Sequence, residues 1–374
     1  MNILVTNYME TTAPGGINKV VSEVGQRLAK QGHIVTVLQP NLRKLPSQET
    51  YQNFNIIRVK PTLGIIYHEL IPRLFFFLER ALVQLTPDVI HVHGYATLFS
   101  VQALSQLKRK KYPLVYSPHF DIESHNSFAG RHFWNVFNKH FGNRNFEIAD
   151  EIICASHFES TNVQRIFGVS EKRIEVIPHG VNRIQIVPRE KKDHIDLIYF
   201  GYLLELKGVQ FILKALCKLK YDLGKRVVLT IIGEGDYKPK LVSLSKKMKI
   251  DNSIKWFPFL PANQLQEKLN EADIFLLLSR SENYGIVVAE ALATGIPCIV
   301  AKTTALREFL NEPGCYGIDY PPDPDNLAEL IVEVHNSAKV GPLTDKIKTW
   351  DRIAQDYERL YNEVAFPKRG PTFA

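Results

Sequence analysis

The nine residues from Glu282 to Glu290, ENYGIVVAE, set two carboxylates eight positions apart around a Tyr-Gly-Ile step that opens a helix. At a helical rise of about 1.5 Å per residue this spacing spans roughly 12 Å. That is comparable to the reach from a sugar ring across a diphosphate to a ribose. The backbone N–H groups near Tyr284, Gly285, Ile286 and Val287 begin the helix, where free amides and the dipole make a seat for phosphate. Glu282 can then accept from sugar hydroxyls and Glu290 from ribose hydroxyls, with the small Ala289 and Ala293 leaving room for close approach. The competing reading makes Glu282 a helix-start carboxylate and Glu290 a solvated helix residue, the common fate of glutamate. Placement at a strand-to-helix junction favours the ligand reading, because open α/β sheets bind ligands at the carboxyl ends of their strands.

Other groups of residues stand at similar junctions. Thr12-Ala13-Pro14-Gly15-Gly16-Ile17 follows the first strand and enters a helix, and Gly16 would let backbone approach an anion; a tight turn is the alternative. It is not a dinucleotide fingerprint, since no G-x-G-x-x-G follows. His91 and His93 project to one side of an extended chain; without a third ligand they read as wall residues rather than a metal site. Ser117-Pro118-His119 closes the next strand, where His119 can hydrogen-bond a hydroxyl or move a proton, or be structural. Phe200-Gly201 to Lys207-Gly208 again joins a strand to a helix, with Lys207 offering a cation to a diphosphate. Gly233-Glu234-Gly235 supplies turn formers first and ligand neighbours second. Trp256 to Leu260 could wall a nucleobase, although core packing accounts for most of its aromatics. Asp323-Pro324-Asp325 has a DxD outline, but its Pro-rich position before a helix predicts N-capping.

Strand-like and helix-like segments alternate through the first half. The strands are Asn2–Thr6, Ile34–Gln39, Asn55–Lys60, Asp88–His91, Pro113–Ser117, Glu151–Ala155 and Ile174–Ile177. Helical patterns at Ile17–Lys30, Leu70–Leu85, Thr97–Lys108 and His157–Phe167 separate most of them. The alternation predicts βα units and a parallel sheet. After Pro178-His179-Gly180-Val181, the polar stretch 188–193 reads as a linker, and the pattern restarts with strands at Asp196–Phe200, Arg226–Ile232, Ser253–Pro258, 272–278 and Pro297–Ala301. Helices are expected at Val209–Leu219, Lys238–Met248 and Asp325–Asn336, with one opened by the Tyr-Gly-Ile step and stopping at Thr294-Gly295, and a last one at Trp350–Tyr361. The apolar run Leu74 to Leu78 reads as a helix packed on the first sheet, with a membrane-surface contact as the alternative. The run Lys108 to Lys111 reads as a solvated helix end.

A chain of 374 residues exceeds what one core sustains, which favours two domains. Apolar content of 45% and charged content of 23% describe a globular chain without disordered bias. A net charge of +7 points to anionic partners, from nucleotides to acidic membrane surface. Cys154, Cys217, Cys298 and Cys315 are single, without CxxC spacing; three of them sit in apolar runs and read as buried thiols, and a reducing compartment is expected. The chain opens directly on a strand and contains no apolar run long enough to span a bilayer, so a cytoplasmic location is expected.

Taken in order, the Gly15-Gly16 loop, Asp88–His91, His119, Ser156, Pro178-His179-Gly180-Val181, Gly201 with Lys207-Gly208, Gly233-Glu234-Gly235, Glu282–Glu290 and Trp350 resemble the family-four glycosyltransferases. This is the large retaining group with the GT-B fold, also described as glycosyl transferases group 1. Each motif is common, but the ordered set runs nearly end to end. The resemblance implies two Rossmann-like domains with parallel sheets facing across a cleft, closed by a C-terminal crossover helix. Their expected bounds are 1–185 on the acceptor side and 186–349 on the nucleotide-sugar side, with 350–374 as the crossover helix and tail.

It further implies catalytic positions at His119 and Glu282. Donor contacts are implied at Gly16, Gly201, Lys207, Gly233, Tyr284, Gly285, Ile286, Val287 and Glu290, with no metal and no cofactor besides the co-substrate. One departure stands out. The family usually has Gly-Arg where this chain has Gly201-Tyr202, which removes one of two customary diphosphate cations. Glu-Asn-Tyr-Gly in place of Glu-Gly-Phe-Gly is a milder change.

The expected activity is retaining transfer of a hexose from a nucleotide-diphosphate sugar to a hydroxyl of a glycan, a lipid-linked or a small-molecule acceptor. Nucleic acid is not an expected partner, and the basic charge leaves peripheral membrane association open. Two alternatives share the architecture: a sugar-nucleotide epimerase and a non-catalytic nucleotide-sugar or glycan-binding protein. A nicotinamide dehydrogenase is disfavoured by the missing fingerprint.

Overall fold

The computed structural model describes residues 1–41, 43–60, 74–95, 97–107, 112–121, 137–138, 142–182, 192–337 and 341–367. Most of the expected linker, the basic run 108–111 and the side chains of Leu74 to Phe77 lie outside the described residues. The chain divides into two compact units, Met1–Gly180 with Trp350–Ala374, and Val181–Thr349.

The first unit holds β1 (Asn2–Thr6), β2 (Ile34–Pro40), β3 (Gln48–Tyr51), β4 (Phe54–Val59), β5 (Val89–His93), β6 (Leu114–Ser117), β7 (Glu151–Cys154) and β8 (Ile174–Val176). They form one sheet in the order β3-β4-β2-β1-β5-β6-β7-β8, parallel except for β3. Its helices are α1 (Gly16–Lys30), α2 (Leu74–Leu85), α3 (Leu98–Leu107), α4 (Asn143–Ile148) and α5 (His157–Phe167). Inner strands such as β6, Leu-Val-Tyr-Ser, are buried at every position, as a sheet covered on both faces requires. Helix α1 buries Val20, Val21, Val24 and Leu28 as a stripe at helical spacing.

The second unit restarts with β9 (Ile195–Phe200), α6 (Val209–Tyr221), β10 (Val227–Ile232), α7 (Lys238–Lys247), β11 (Ile254–Phe257), α8 (Ala262–Glu271), β12 (Ile274–Leu277), α9 (Ile286–Ala293), β13 (Cys298–Ala301), β14 (Cys315–Ile318) and α10 (Pro324–Ser337). Its parallel sheet runs β11-β10-β9-β12-β13-β14. Helix α11 (Trp350–Ala365) then returns to the first unit, burying Trp350, Ile353, Tyr357, Leu360 and Tyr361.

Both sheets reverse their strand order once. In the first the reversal lies between β1 and β5; in the second it lies between β9 and β12. Such reversals splay the flanking connections apart and open a crevice at the carboxyl ends.

Strands β3 and β14 and helices α4 and α8 escaped the sequence pattern. Strand β3 is a polar edge strand, Gln-Glu-Thr-Tyr, paired antiparallel to β4 through a tight turn. Gln52 and Asn53 both take positive φ there, 46° and 71°, so the hairpin is carried by turn geometry rather than by apolar alternation. Helix α8 has Leu269 as its only fully buried residue, too thin a stripe to register. Strand β14 is only four residues long and carries a glycine inside, and pairing with β13 supplies what propensity lacks.

Candidate functional site

In the second unit the connections after β9 and β12 meet at the strand-order reversal. Gly208 is the pivot. It takes φ of 79°, and a Cβ there would lie 2.0 Å from the Leu278 carbonyl oxygen, so only glycine lets the loop after β9 settle on the end of β12. The Arg280 N–H donates to the Leu206 carbonyl at 2.7 Å, and the Ser279 hydroxyl to the same oxygen at 3.2 Å. The two loops are thereby stitched together. Lys207 and Glu282 face each other as a result, with Nζ 2.6 Å from Oε1. The pair is largely but not wholly buried, with side chains 21% and 14% exposed.

The Glu282 backbone N–H donates to Thr304 Oγ1 at 2.9 Å, and Thr303 Oγ1 donates to the Ser279 carbonyl at 2.8 Å. The Thr303-Thr304 pair thus clamps the glutamate loop from the side of β13. Gly201 and Gly233 pack directly on one another: a Cβ on Gly233, at φ 143°, would sit 1.9 Å from the Gly201 carbonyl oxygen. The loops after β9 and β10 therefore form a bare backbone floor.

Tyr284 is buried and meets Phe309 at 5.2 Å between ring centroids, and burial raises its phenol pKa well above the ordinary value. Its ring belongs to the core, so only its backbone faces the site. Gly285 caps α9 at φ 94° and accepts from Val288 N–H at 2.8 Å. The amides of Ile286 and Val287, in the first turn, have no intrahelical acceptor. Glu290 lies one turn further along α9, half-buried, on the same face as Ile286. Tyr202, in the place of the customary arginine, is 38% exposed and meets Phe259 edge-on at 5.0 Å. Asp323 accepts from the N–H groups of Asp325 and Asn326 at 3.0 and 3.1 Å, which is N-capping of α10.

In the first unit the reversal brings the loop after β1 beside the end of β5. That loop rests on a buried polar set. Arg58 is forked onto Glu10, Nε to Oε2 at 2.9 Å and Nη2 to Oε1 at 3.0 Å, with both residues nearly inaccessible. Gln39 donates to Glu10 Oε1 at 2.5 Å and accepts from Thr11, while Asn18 on α1 donates to the Ala13 carbonyl at 3.1 Å. Gly16 begins α1 just beyond, exposed and without a side chain to obstruct it.

Four histidines gather beside this loop. His91 and His93 project from one face of β5 with ring centroids 4.0 Å apart. His91 is bonded on both nitrogens, Nδ1 to the Tyr361 hydroxyl at 2.7 Å and Nε2 to Ser117 Oγ at 2.8 Å. His119 follows β6 at φ 50°, stacks on His93 at 5.3 Å and 12°, and meets His93 Nδ1 through Nε2 at 3.0 Å. His179 completes the group, 6.1 Å from His119 between centroids. Burial lowers the pKa of His119 to about 4 and those of His91 and His179 to about 3, and His93 falls well below its ordinary value. All four are therefore neutral at physiological pH.

The strained His119 backbone is held from the next residue. Phe120 N–H donates to Glu159 Oε1 at 2.6 Å, and Ala155 N–H to Oε2 at 2.8 Å. Burial raises the Glu159 pKa to about 7, against those two bonds. Ser156 Oγ in turn accepts from Glu159 N–H at 3.1 Å, which caps α5. Glu159 was missed from sequence although its S-x-x-E spacing is visible there. The Glu10–Arg58 pair, 48 residues apart, had no local signal.

Two family descriptions divide this chain between them: Glycosyltransferase Family 4 matches residues 14–184 and Glycosyl transferases group 1 matches residues 181–348. An uncharacterised glycosyltransferase of Methanocaldococcus jannaschii is 25% identical, over 93% of this chain and 94% of its own. Among solved structures, sucrose-phosphate synthase of Thermosynechococcus elongatus superposes with a TM-score of 0.77 at 17% identity, covering 97% of this chain and 98% of that one. Anabaena HepE in complex with UDP-glucose superposes with a TM-score of 0.68 at 16% identity, covering 97% and 95%.

Proposed function

The chain belongs to the family-four glycosyltransferases with the GT-B fold, and from that premise we propose that it transfers a hexose, with retention, from a nucleotide-diphosphate sugar to an acceptor hydroxyl. The acceptor is a glycan, a lipid-linked or a small molecule. The observation that carries this reading is the Lys207–Glu282 pair, 2.6 Å apart, beside the opening turn of α9. One cation and one carboxylate at a strand-order reversal are what a diphosphate and a sugar hydroxyl need. The bound UDP-glucose of the HepE structure lends the donor class further support.

Parting this largely buried pair requires that each partner find a replacement, which the donor supplies as an anion for Lys207 and hydroxyls for Glu282. A donor would take Lys207 and the amides of Ile286 and Val287 for its diphosphate, and Glu282 for the sugar hydroxyls. Glu290 would receive the ribose. In the transfer the bond from the anomeric carbon to the phosphate oxygen breaks, and its electron pair leaves with the nucleoside diphosphate. The acceptor oxygen bonds to the same face, and its proton passes to the departing phosphate. Preorganised amides and Lys207 stabilise the charge that builds there. In this reading His119 meets a sugar hydroxyl, Gly16 approaches the diphosphate, and no divalent cation is required.

The test is a thermal-shift screen of UDP, GDP and ADP sugars followed by Glu282→Ala, with EDTA present throughout. The variant is expected to keep the shift produced by the free nucleoside diphosphate and to lose the additional shift produced by the sugar. Wild-type turnover is expected to persist in EDTA. An unchanged sugar-dependent shift in the variant refutes the role of Glu282, and turnover that vanishes in EDTA refutes metal independence.

A further inference from the structure

We propose that His93 is a positioning residue that fixes the tautomer of His119, so that His119 meets its ligand as a hydrogen-bond donor through Nδ1–H and not as a base. The inference deepens the proposed reading and rests on it for the identity of the ligand, a sugar hydroxyl. The ring geometry stands independently.

In the 3.0 Å contact between His93 Nδ1 and His119 Nε2, one neutral ring must donate and the other accept. The surroundings of His93 choose between them. Its ring lines a small cavity with Val5, Val20 and Val24, and its Nε2 has no hydrogen-bond partner among the described residues. The polar groups closest to that cavity are already engaged. The Tyr361 hydroxyl pairs with His91 Nδ1, and Tyr357 pairs with Ser117. A buried N–H without an acceptor is rarer and costlier than a lone pair without a donor. The His93 proton therefore sits on Nδ1 and is donated to His119 Nε2.

That bond leaves His119 with its own proton on Nδ1. Among the described residues this nitrogen has no partner, and the ring is half-buried rather than sealed. The His119 backbone is fixed as well, by the Glu159 carboxylate on the Phe120 N–H. His93 is fixed from behind by contact with the doubly bonded His91 ring. Ring, tautomer and backbone are thus all set before any ligand arrives. A donor N–H aimed at a hydroxyl oxygen can orient the sugar but cannot remove a proton from the acceptor, so that proton must leave by another route, as it does when the departing phosphate takes it.

The experiment is long-range 1H–15N correlation of the ring nitrogens in the full-length protein labelled with 15N-histidine, with His119→Gln used to assign the His119 signals. Wild type is expected to show His119 with a protonated Nδ1 and an unprotonated Nε2. His93→Leu, which removes the donor, is expected to return His119 to the mixture of tautomers found in free histidine. It should lower kcat about tenfold or more while the nucleoside diphosphate binds as before. His93→Asn, whose amide can replace the Nδ1–H group, is expected to recover the Nδ1–H tautomer and most of the lost kcat. A wild-type His119 protonated on Nε2 overturns the inference, and so does a tautomer that His93→Leu leaves unaltered. If His93→Leu does not fold, the wild-type spectrum decides alone. Should the tautomer be as stated while His119→Gln turns over normally, the reading of His119 as a sugar contact fails and the tautomer assignment stands.

Discussion

Glycines in this protein act by what they allow other residues to reach, and Gly208 shows it most directly. Its left-handed conformation and its contact with the Leu278 carbonyl are what bring Lys207 to Glu282. Gly208→Ala adds a Cβ where backbone already lies, at a φ that disfavours any side chain. We expect a loss on the order of 3 kcal/mol in stability, from strain plus overpacking. The nucleotide-dependent thermal shift should fall with it, as the loop withdraws Lys207. A variant that keeps wild-type stability and the full shift would show that the loop does not depend on this glycine. Tyr202 illustrates the opposite case. Its carbonyl is held by the Tyr199 hydroxyl at 2.8 Å while its ring turns toward Phe259; in the proposed function the diphosphate would therefore depend on Lys207 and the helix amides.

At the scale of elements, α11 is the piece that makes the first unit complete. It lays Tyr357 and Tyr361 against β5, and the Tyr361 hydroxyl satisfies one nitrogen of the fully buried His91. Arg27 on α1 reaches Asp351 at 2.7 Å and His33 reaches Glu358 at 2.8 Å, tying the start and the middle of α11 to the first unit. Those pairs are partly exposed and contribute little individually; the buried tyrosine contributes more. Tyr361→Phe leaves His91 Nδ1 without a partner in an apolar setting. The expected cost is about 2 kcal/mol, read as a lower urea midpoint with an unchanged slope. An unchanged midpoint would mean that the hydroxyl is replaced by water.

For the whole molecule, the histidine group predicts acid lability. The folded chain holds His91, His93, His119 and His179 neutral far below the ordinary imidazole range. Unfolded imidazoles take up protons as pH drops through about 6.5, whereas in the folded chain His119 refuses one until about 4, His91 and His179 until about 3, and His93 is held well below its ordinary value, so stability is lost as pH falls below the unfolded range. Each histidine accounts for about 2 kcal/mol at pH 5 as an upper figure. Glu159, raised to about 7, acts in the other direction: its folded form keeps a proton that the unfolded form releases, so acidification favours folding there. It offsets about one histidine's share. The net expectation is a urea midpoint that falls steadily from pH 7.5 to pH 5; a flat or rising profile would contradict the neutral buried group. Among the described residues no helix is long and apolar enough to cross a membrane.

The strand-to-helix junctions and the glycines after β9 and β10 were readable in the sequence, because short apolar runs ending in glycine and polar residues have few other solutions. So were the same-side projection of His91 and His93 and the capping role of Asp323, which depend only on local periodicity. The family membership was readable too, through the order of its motifs. Tertiary structure alone decided what touches what. That Lys207 meets Glu282 across 75 residues depends on β9 and β12 being neighbours, and their pairing is set by strand order, which no local pattern encodes. The same holds for the Glu10–Arg58 fork and for His93 beside His119. A one-dimensional pattern specifies which face a side chain takes; only the closing of the sheet specifies whose side chain waits on that face.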